Sequence, residues 1–262
     1  MLQIITYAGF ALLTVMAGAV RTDADFRSVL QSVVAHQPEL EKVLERFGYR
    51  ETVLLEENGK LKKNEIYEVI MLRGRMVRKL ISRDGKALQG SELAKENTRV
   101  EKQISNLESG RIPPLTNRRI DLKDLLRCSV FSDVREDTID GRTVLKASFH
   151  PNPKVKPSNI SERFVHNLDG VAVVDPVALQ VARFEFTLRD AFKVAGGLFF
   201  AMKPGTRYEE RSRWALGQIW LPESKEFQMA GKAMIGYKLA IRNRTSFSDY
   251  HRFDVEATSN QP

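Results

Sequence analysis

Residues 227–241 read FQMAGKAMIGYKLAI, and this stretch decides the fold. Every odd position in it is apolar or small, whereas the even positions include Lys232 and Lys238. Alternation with a period of two is typical of a β-strand with one dry face and one wetter face. One strand of this length would span roughly 50 Å, so we predict a long bent strand with bends or bulges at Gly231 and Gly236.

A long bent strand requires a concave sheet with apolar material against its inner face. Turn signals at Asn58-Gly59, Asp140-Gly141 and Pro204-Gly205 divide the neighbouring chain into further segments of alternating character. Such turns are typical of antiparallel hairpins. The sequence therefore predicts a mainly β (α+β) fold built on a single curved antiparallel sheet.

Three segments have a helical period instead. An apolar stripe from Phe26 to Phe47 predicts one amphipathic helix, kinked or restarted at Pro38. Ser91–Leu107 has a narrow apolar stripe in a charged background, which predicts a helix that rests one edge on the body. Asp121 is expected to cap a short third helix.

The composition is that of an ordinary globular protein. The 262 residues suffice for one large β domain, and 41 basic against 33 acidic residues give a net charge of +8. This balance favours an anionic partner or surface only modestly, because the basic residues are interleaved with acids along solvated strands. Cys128 is the single cysteine, so no internal disulfide can form, and we expect a buried, inert thiol.

The first residues are predicted to be an export signal. Ile4–Ala17 is an apolar run, Ala17-Gly18-Ala19 fits a cleavage site, and Arg21 changes the composition abruptly. We expect cleavage after Ala19 and a periplasmic location; the alternative is an N-terminal membrane anchor. Residues 20–256 then form the domain, with a helical insertion at 91–127, and residues 257–262 form a flexible tail.

Four segments share a common grammar of turns and alternating strands: LDGVAVVDP from Leu168, LQVARFEFTL from Leu179, GQIWLPE from Gly217 and FSDYHRF from Phe247. Together they resemble the LolA-like superfamily of periplasmic lipoprotein-sorting proteins. The resemblance covers about residues 45–255 and is greatest to an exported bacterial branch with an extra charged helix. It implies an incomplete antiparallel β-barrel with helices packed on its concave side. In the carriers of this superfamily, that cavity shelters lipoprotein acyl chains.

The resemblance makes the apolar side chains of the sheet candidates for a ligand-binding wall. A flexible methionine suits a pocket for varied chains. The alternative is that these side chains form an ordinary dry core under the helices. The candidate hydrophobic lining comprises Phe184, Phe186, Leu198, Phe200, Phe227, Met229, Ile235, Tyr237 and Leu239.

No catalytic constellation is evident, so we predict no enzyme activity, no cofactor and no metal. The four histidines His36, His150, His166 and His251 are scattered without metal-ligand spacing, and no nucleotide-binding or nucleophile motif is present. Nucleic acid is not an expected partner, because Glu209 and Glu210 interrupt the basic cluster that comes nearest to a binding face.

Two functions are therefore expected. The first is a monomeric periplasmic binding or carrier protein for lipoprotein acyl chains or another lipid-like ligand, with basic rim residues near anionic head groups or an anionic membrane surface. The second is an envelope protein-interaction or sensor module on the same scaffold, without ligand transport. A ligand cavity under the sheet would favour the first, and a filled core the second.

Overall fold

The computed structural model describes residues 22–73, 75–111, 121–194, 200–233 and 237–252. Four helices and thirteen strands are present in these ranges. The helices are α1 (Asp23–Leu44), α2 (Gly90–Glu108), α3 (Leu122–Cys128) and α4 (Ile160–Val165). The strands are β1 (Phe47–Glu57), β2 (Lys60–Leu72), β3 (Arg75–Arg83), β4 (Lys86–Ala87), β5 (Ser129–Ile139), β6 (Arg142–Pro151), β7 (Leu168–Asp175), β8 (Gln180–Leu188), β9 (Phe192–Val194), β10 (Phe200–Met202), β11 (Arg207–Ala215), β12 (Ile219–Ala233) and β13 (Tyr237–Arg252).

The strands form one antiparallel sheet in the order β4-β3-β2-β1-β13-β12-β11-β8-β7-β6-β5, with β10 pairing to β12 and β9. The two ends of this order do not pair with each other, so the sheet stays open. The predicted mainly β fold with an incomplete barrel is thus confirmed. β13 lies between β1 and β12, where it joins the N-terminal strands to all the others.

The predicted single strand over residues 227–241 is wrong, because the chain reverses between Ala233 and Tyr237. β12 and β13 are antiparallel partners there, and Met229 pairs with Ile241. Each pair in this ladder joins two odd or two even positions, so the alternation continues unchanged through the reversal. A period-two pattern cannot distinguish one strand from two strands paired in this way.

Gly231 is not a bend but a point of close approach. It pairs with Met202 of β10, and a Cβ atom at this position would collide with the backbone carbonyl oxygen of Ala201. The glycine therefore allows β10 to pair with β12. Gly236 lies outside the described residues, as do the predicted signal and tail.

The helices share one face of the sheet. Directly paired residues point to the same side of a sheet. The main core contains Phe26 of α1 and Leu125 of α3 together with Phe149, Phe184 and Phe186 of the strands. α2 contacts β3 on the same face, at the other end of the strand order. Among the described residues no helix is long and apolar enough to cross a membrane.

α1 begins and continues as its sequence dictates. The Thr22 hydroxyl accepts the amide of Asp25 while the Asp25 carboxylate accepts the amide of Thr22, which completes a capping box. The helix runs through Pro38 without a break, so no restart occurs there. Its second half is held by Leu40 and Leu44, which contact the small core around Leu221.

Two elements near the middle of the chain depend on single side chains or on their absence. α4 precedes β7 because the Asn159 side chain caps it by accepting the amide of Glu162 at 2.9 Å. β7 then continues through Asp169-Gly170 without interruption, since Gly170 lies against the ring of Phe149, where a side chain would collide. β5 has no alternating apolar pattern and was not predicted.

The first turn of α1 covers the outer edge of β5. The Asp23 carboxylate accepts the backbone amide of Phe131 at 2.8 Å. Arg27 donates to the carbonyl oxygen of Leu126 at 2.7 Å and also to that of Ser129. The contacts to Phe131 and Ser129 satisfy backbone groups of β5 that would otherwise be open to another strand.

A buried carboxylate ties β6, β7 and β12 together. Asp175 has no exposed surface, and Arg142 donates to it through Nε at 2.5 Å and Nη2 at 3.2 Å. The indole of Trp220 donates to it at 2.9 Å, and the amides of Val177 and Ala178 donate at 2.9 and 2.8 Å. Burial by itself raises the pKa of Asp175, but these hydrogen bonds outweigh it and lower the pKa to about 2.

We predict that Asp175→Asn lowers the free energy of unfolding by about 3 kcal/mol at neutral pH, because it leaves the Arg142 guanidinium without its carboxylate. Since the pKa of Asp175 is lower in the folded state, its contribution is complete above about pH 4 and is lost as the pH falls toward 2. Urea unfolding across this range should therefore show a shallower acid dependence in the variant. Asp169→Asn, at an exposed ion pair with Arg189, is the control, and equal losses in the two variants would contradict the prediction.

Candidate functional site

A cavity of about 450 Å³ lies between α2 and the strands β2 and β3. We call it the α2 cavity. Most of its lining side chains are charged or polar, and the few apolar ones come from β3. The lining residues are Lys63, Glu65, Tyr67, Met76, Arg78, Leu80, Arg83, Glu96, Arg99 and Gln103.

The sheet register brings these side chains together. Tyr67 of β2 pairs with Leu80 of β3, and alternate residues on each side of this pair point to the same face. A bulge between Ile66 and Tyr67 shifts the register, so that Arg83 lies opposite Glu65. The wall of the cavity is thus a product of strand alternation and one bulge.

Glu65 is a carboxylate of the cavity with three polar neighbours. It accepts Tyr67 Oη at 2.5 Å and Arg83 Nε at 3.2 Å, and Lys63 Nζ lies 3.8 Å away. Burial raises the pKa of Glu65, but the hydrogen bonds from Tyr67 and Arg83 lower it overall. Burial and the Glu65 carboxylate together raise the pKa of Tyr67 to about 12. At neutral pH, Glu65 is therefore ionised and Tyr67 is neutral.

A second ion pair lies deeper on the same face. Arg78 Nε is 2.7 Å from Glu51 Oε2, and its guanidinium lies 4.0 Å from the centre of the Tyr67 ring. Burial raises the pKa of Glu51, and this effect is larger than the lowering of the pKa by the Arg78 guanidinium. Lys225 adds a further positive charge here, paired with Glu210 at 3.0 Å. The centre of the helix-covered face is therefore charged.

α2 is attached to the edge of β3 through side chains. Glu96 Oε1 accepts the backbone amide of Leu80 at 2.7 Å. Gln103 donates to the carbonyl oxygen of Met76 at 3.1 Å, and Arg99 donates to that of Arg78. The Arg99 guanidinium, as a hydrogen-bond donor, lowers the pKa of Glu96. Spacings of three and four residues place these side chains along one side of the helix.

The arrangement suits a polar ligand that carries charge. Arg and Lys side chains in a partly desolvated cavity bind carboxylates or phosphates through charge-assisted hydrogen bonds. An acyl chain would instead desolvate the ion pairs without replacing their hydrogen bonds, which is unfavourable. Within the described ranges, no cluster of three or more His, Cys, Asp or Glu side chains could hold a metal ion.

The structure places the predicted hydrophobic lining in three different environments. Phe184, Phe186 and Met229 are buried in the main core, whereas Phe227 and Leu239 are only partly buried and contact its edge. Tyr237 is about half exposed, and its hydroxyl donates to Glu57 Oε1 at 2.9 Å.

The side chains of the other three predicted lining residues are not among those that the structure describes. Leu198 and Ile235 lie outside the described residues, and of Phe200 only the backbone in β10 is described. Ligand binding by the nine predicted residues thus stays a prediction.

Sequence reasoning missed the α2 cavity, although two signals were present. Lys63, Glu65 and Tyr67 alternate along β2, and Glu96 and Gln103 recur along the predicted stripe of α2. Charges at these positions are usually solvated, so neither signal by itself indicates a cavity. Their convergence depends on the β2–β3 register, which the sequence does not reveal.

The open antiparallel sheet with helices on one face is the architecture that the sequence resemblance implied. The resemblance also implied a cavity that shelters acyl chains, whereas the centre of the covered face is charged. No protein-family model matches the chain, and no curated protein matches it.

Several solved structures are similar to this chain at low identity. A LolA superfamily protein from Nitrosomonas europaea is 11% identical with a TM-score of 0.32, over 90% of this chain and 96% of that one. A DUF1329 family protein from Desulfovibrio piger is 12% identical with a TM-score of 0.34, over 88% and 93%. MucA/MucB from Pseudomonas aeruginosa matches at 9% identity and a TM-score of 0.26, over 85% and 99%. At these values the matches carry no information about function.

We predict that Glu96→Ala lowers the free energy of unfolding by about 1 kcal/mol, because the Leu80 amide and the Arg99 guanidinium each lose an acceptor. Hydrogen exchange at the Leu80 amide should accelerate, while amides in the main core keep their rates. Glu101→Ala is the control, since Glu101 lies on the exposed side of the same helix. Unchanged exchange at Leu80 would show that Glu96 does not cover this edge.

Proposed function

We propose that this chain is an exported binding module of the cell envelope that recognises a polar, charged protein partner at the α2 cavity. One observation carries the proposal: the α2 cavity, on the helix-covered face, is lined by ion pairs, whereas the best buried of the predicted lipid-lining side chains fill a core. Location in the periplasm follows from the export signal expected in residues 1–19.

The charges of the cavity favour an acidic partner. Its lining contains Lys63, Arg78, Arg83 and Arg99 against the carboxylates Glu65 and Glu96. Arg83 is an accessible cation of the cavity, because half of its side-chain surface is exposed although its partner Glu65 is only 10% exposed. A partner carboxylate can thus reach Arg83 without breaking into the core.

The test compares two arginine reversals on opposite faces of the sheet. Arg83→Glu alters the cavity, and Arg207→Glu alters an exposed position of β11 outside it. Each variant is used to retain proteins from an envelope extract, and the retained proteins are identified by mass spectrometry. We expect at least one protein to be retained by the wild type and Arg207→Glu but lost with Arg83→Glu. Identical sets from both variants would contradict the proposal.

A lipid-like ligand is the second candidate, and one observation favours it. Phe227, Leu239 and Ile241 are apolar, only partly buried, and lie side by side at the edge of the main core. Together they offer an apolar surface on the helix-covered face. An acyl chain lying there would avoid the ion pairs of the α2 cavity.

Binding of a fluorescent fatty acid separates the two candidates. For a polar partner we expect no saturable uptake, and no lipid mass in native mass spectrometry after gentle purification. Saturable uptake that Leu239→Asp abolishes and Arg83→Glu leaves intact would instead support lipid carriage. Thermal unfolding of Leu239→Asp controls for loss of the fold.

A further inference from the structure

The outer edge of β3 is covered by a helix rather than by a strand. Because Arg78 O and Leu80 N both bond to α2, the backbone groups of alternate residues Met76, Arg78 and Leu80 face away from β2. Beyond Leu80 the edge of β3 is covered by β4, which pairs with Ser82 and Arg83. The segment that α2 covers is thus long enough to pair with about five residues of an extended chain.

α2 is held to this edge mostly through polar contacts. Leu107 is its single buried residue among those described, and the α2 cavity separates much of the helix from the sheet face. Arg73 anchors the C-terminal end by donating to the carbonyl oxygens of Leu107 and Glu108, at 3.3 and 2.9 Å. A helix with so little apolar burial is weakly stabilised by packing.

We propose that an acidic, extended segment of a partner protein displaces α2 and pairs with β3 as an additional antiparallel strand. The backbone of the segment would form hydrogen bonds with the backbone amides and carbonyl oxygens at the edge of β3. The side chains of Glu96, Arg99 and Gln103 form these hydrogen bonds in the present structure. Displacement opens the α2 cavity to side chains of the segment. This inference rests on the proposed function, because it specifies the partner that the α2 cavity receives.

The side chains of β3 define the chemistry of the segment. β3 contains Arg75, Arg78, Lys79 and Arg83 and no acidic residue. Cross-strand pairs of opposite charge stabilise a sheet, and pairs of like charge destabilise it. Opposite Leu80, Lys79, Arg78, Val77 and Met76, in that order, the segment should therefore be apolar, acidic, acidic, apolar and apolar.

The probe is a synthetic peptide with this pattern, acetyl-Leu-Glu-Glu-Val-Leu-amide, flanked by glycines and labelled with a fluorophore. We expect saturable binding to the full chain, with slower hydrogen exchange at the amides of Met76 and Arg78 and faster exchange within α2. Replacing both glutamates with lysines should weaken binding at least about ten-fold, because like charges then face β3.

N-methylation of the peptide backbone provides the matched control. In an extended peptide, successive backbone amides point to opposite sides. One peptide carries methyl groups on the amides that face β3, which blocks the hydrogen bonds to this strand. The other carries them on the amides that point away from β3. We expect the methyl groups that face β3 to reduce the affinity at least about ten-fold, and those that point away to leave it within about two-fold. Equal affinity of the two methylated peptides would overturn strand addition.

The cover itself is tested with Glu96→Ala. Loosening α2 raises the population of the uncovered edge, so the variant should bind the peptide about three- to ten-fold more tightly than the wild type. Glu101→Ala should leave the affinity unchanged. No binding by the wild type or Glu96→Ala at millimolar peptide would overturn the inference. If the peptide does not bind, the proposed function is still supported when the wild type retains a partner from the envelope extract and Arg83→Glu does not.

Discussion

An open β-sheet has two edges, and the structure depends on the way its helices cover them. At one edge Asp23 and Arg27 of α1 bond to the backbone of β5, and at the other edge side chains of α2 bond to β3. Both helices also lie on the same face of the sheet. Uncovered edge groups would pair with other chains, so each helix has a second role besides covering the sheet. The two covers differ in strength, because α1 buries Phe26 and Leu30 in the core whereas α2 buries little.

The unequal covers divide the sheet into two parts of different character. Around β5–β8 the helix-covered face is a dry aromatic core, where Phe149 and Phe184 stack at 5.5 Å. Toward β2 and β3 the same face holds ion pairs and the α2 cavity. Charged groups in a partly buried site stabilise the fold less than apolar packing does, but they recognise charged partners. The part of the molecule with the weaker packing is therefore the part suited to binding.

The sequence predicted the strands, the tight turns and the helices α1 to α3 because local patterns encode them. It could not place the reversal between β12 and β13, since Met229 and Ile241 keep the same alternation on either side of it. It also missed β5, which sits at an edge and alternates little. The sequence did not reveal the α2 cavity because Glu65 and Glu96 line one cavity only through the β2–β3 register and the position of α2 against β3. Phe184, one of the predicted lining residues, is buried in the main core, but an apolar position in an alternating strand does not indicate whether a cavity or a core will surround it.

The central position of β13 has a consequence for how the chain reaches its native state. This strand pairs Thr245 with Val53, so the middle of the sheet is assembled from segments that are far apart in the chain. Contacts of such long sequence separation form late and make folding slow. Until residues 237–252 have emerged, β1 and β12 lack their shared partner and the two parts of the sheet stay apart. A slow assembly of this kind leaves the strands β1 and β12 with unpaired edges until β13 joins them, and unpaired strand edges are open to pairing with other chains.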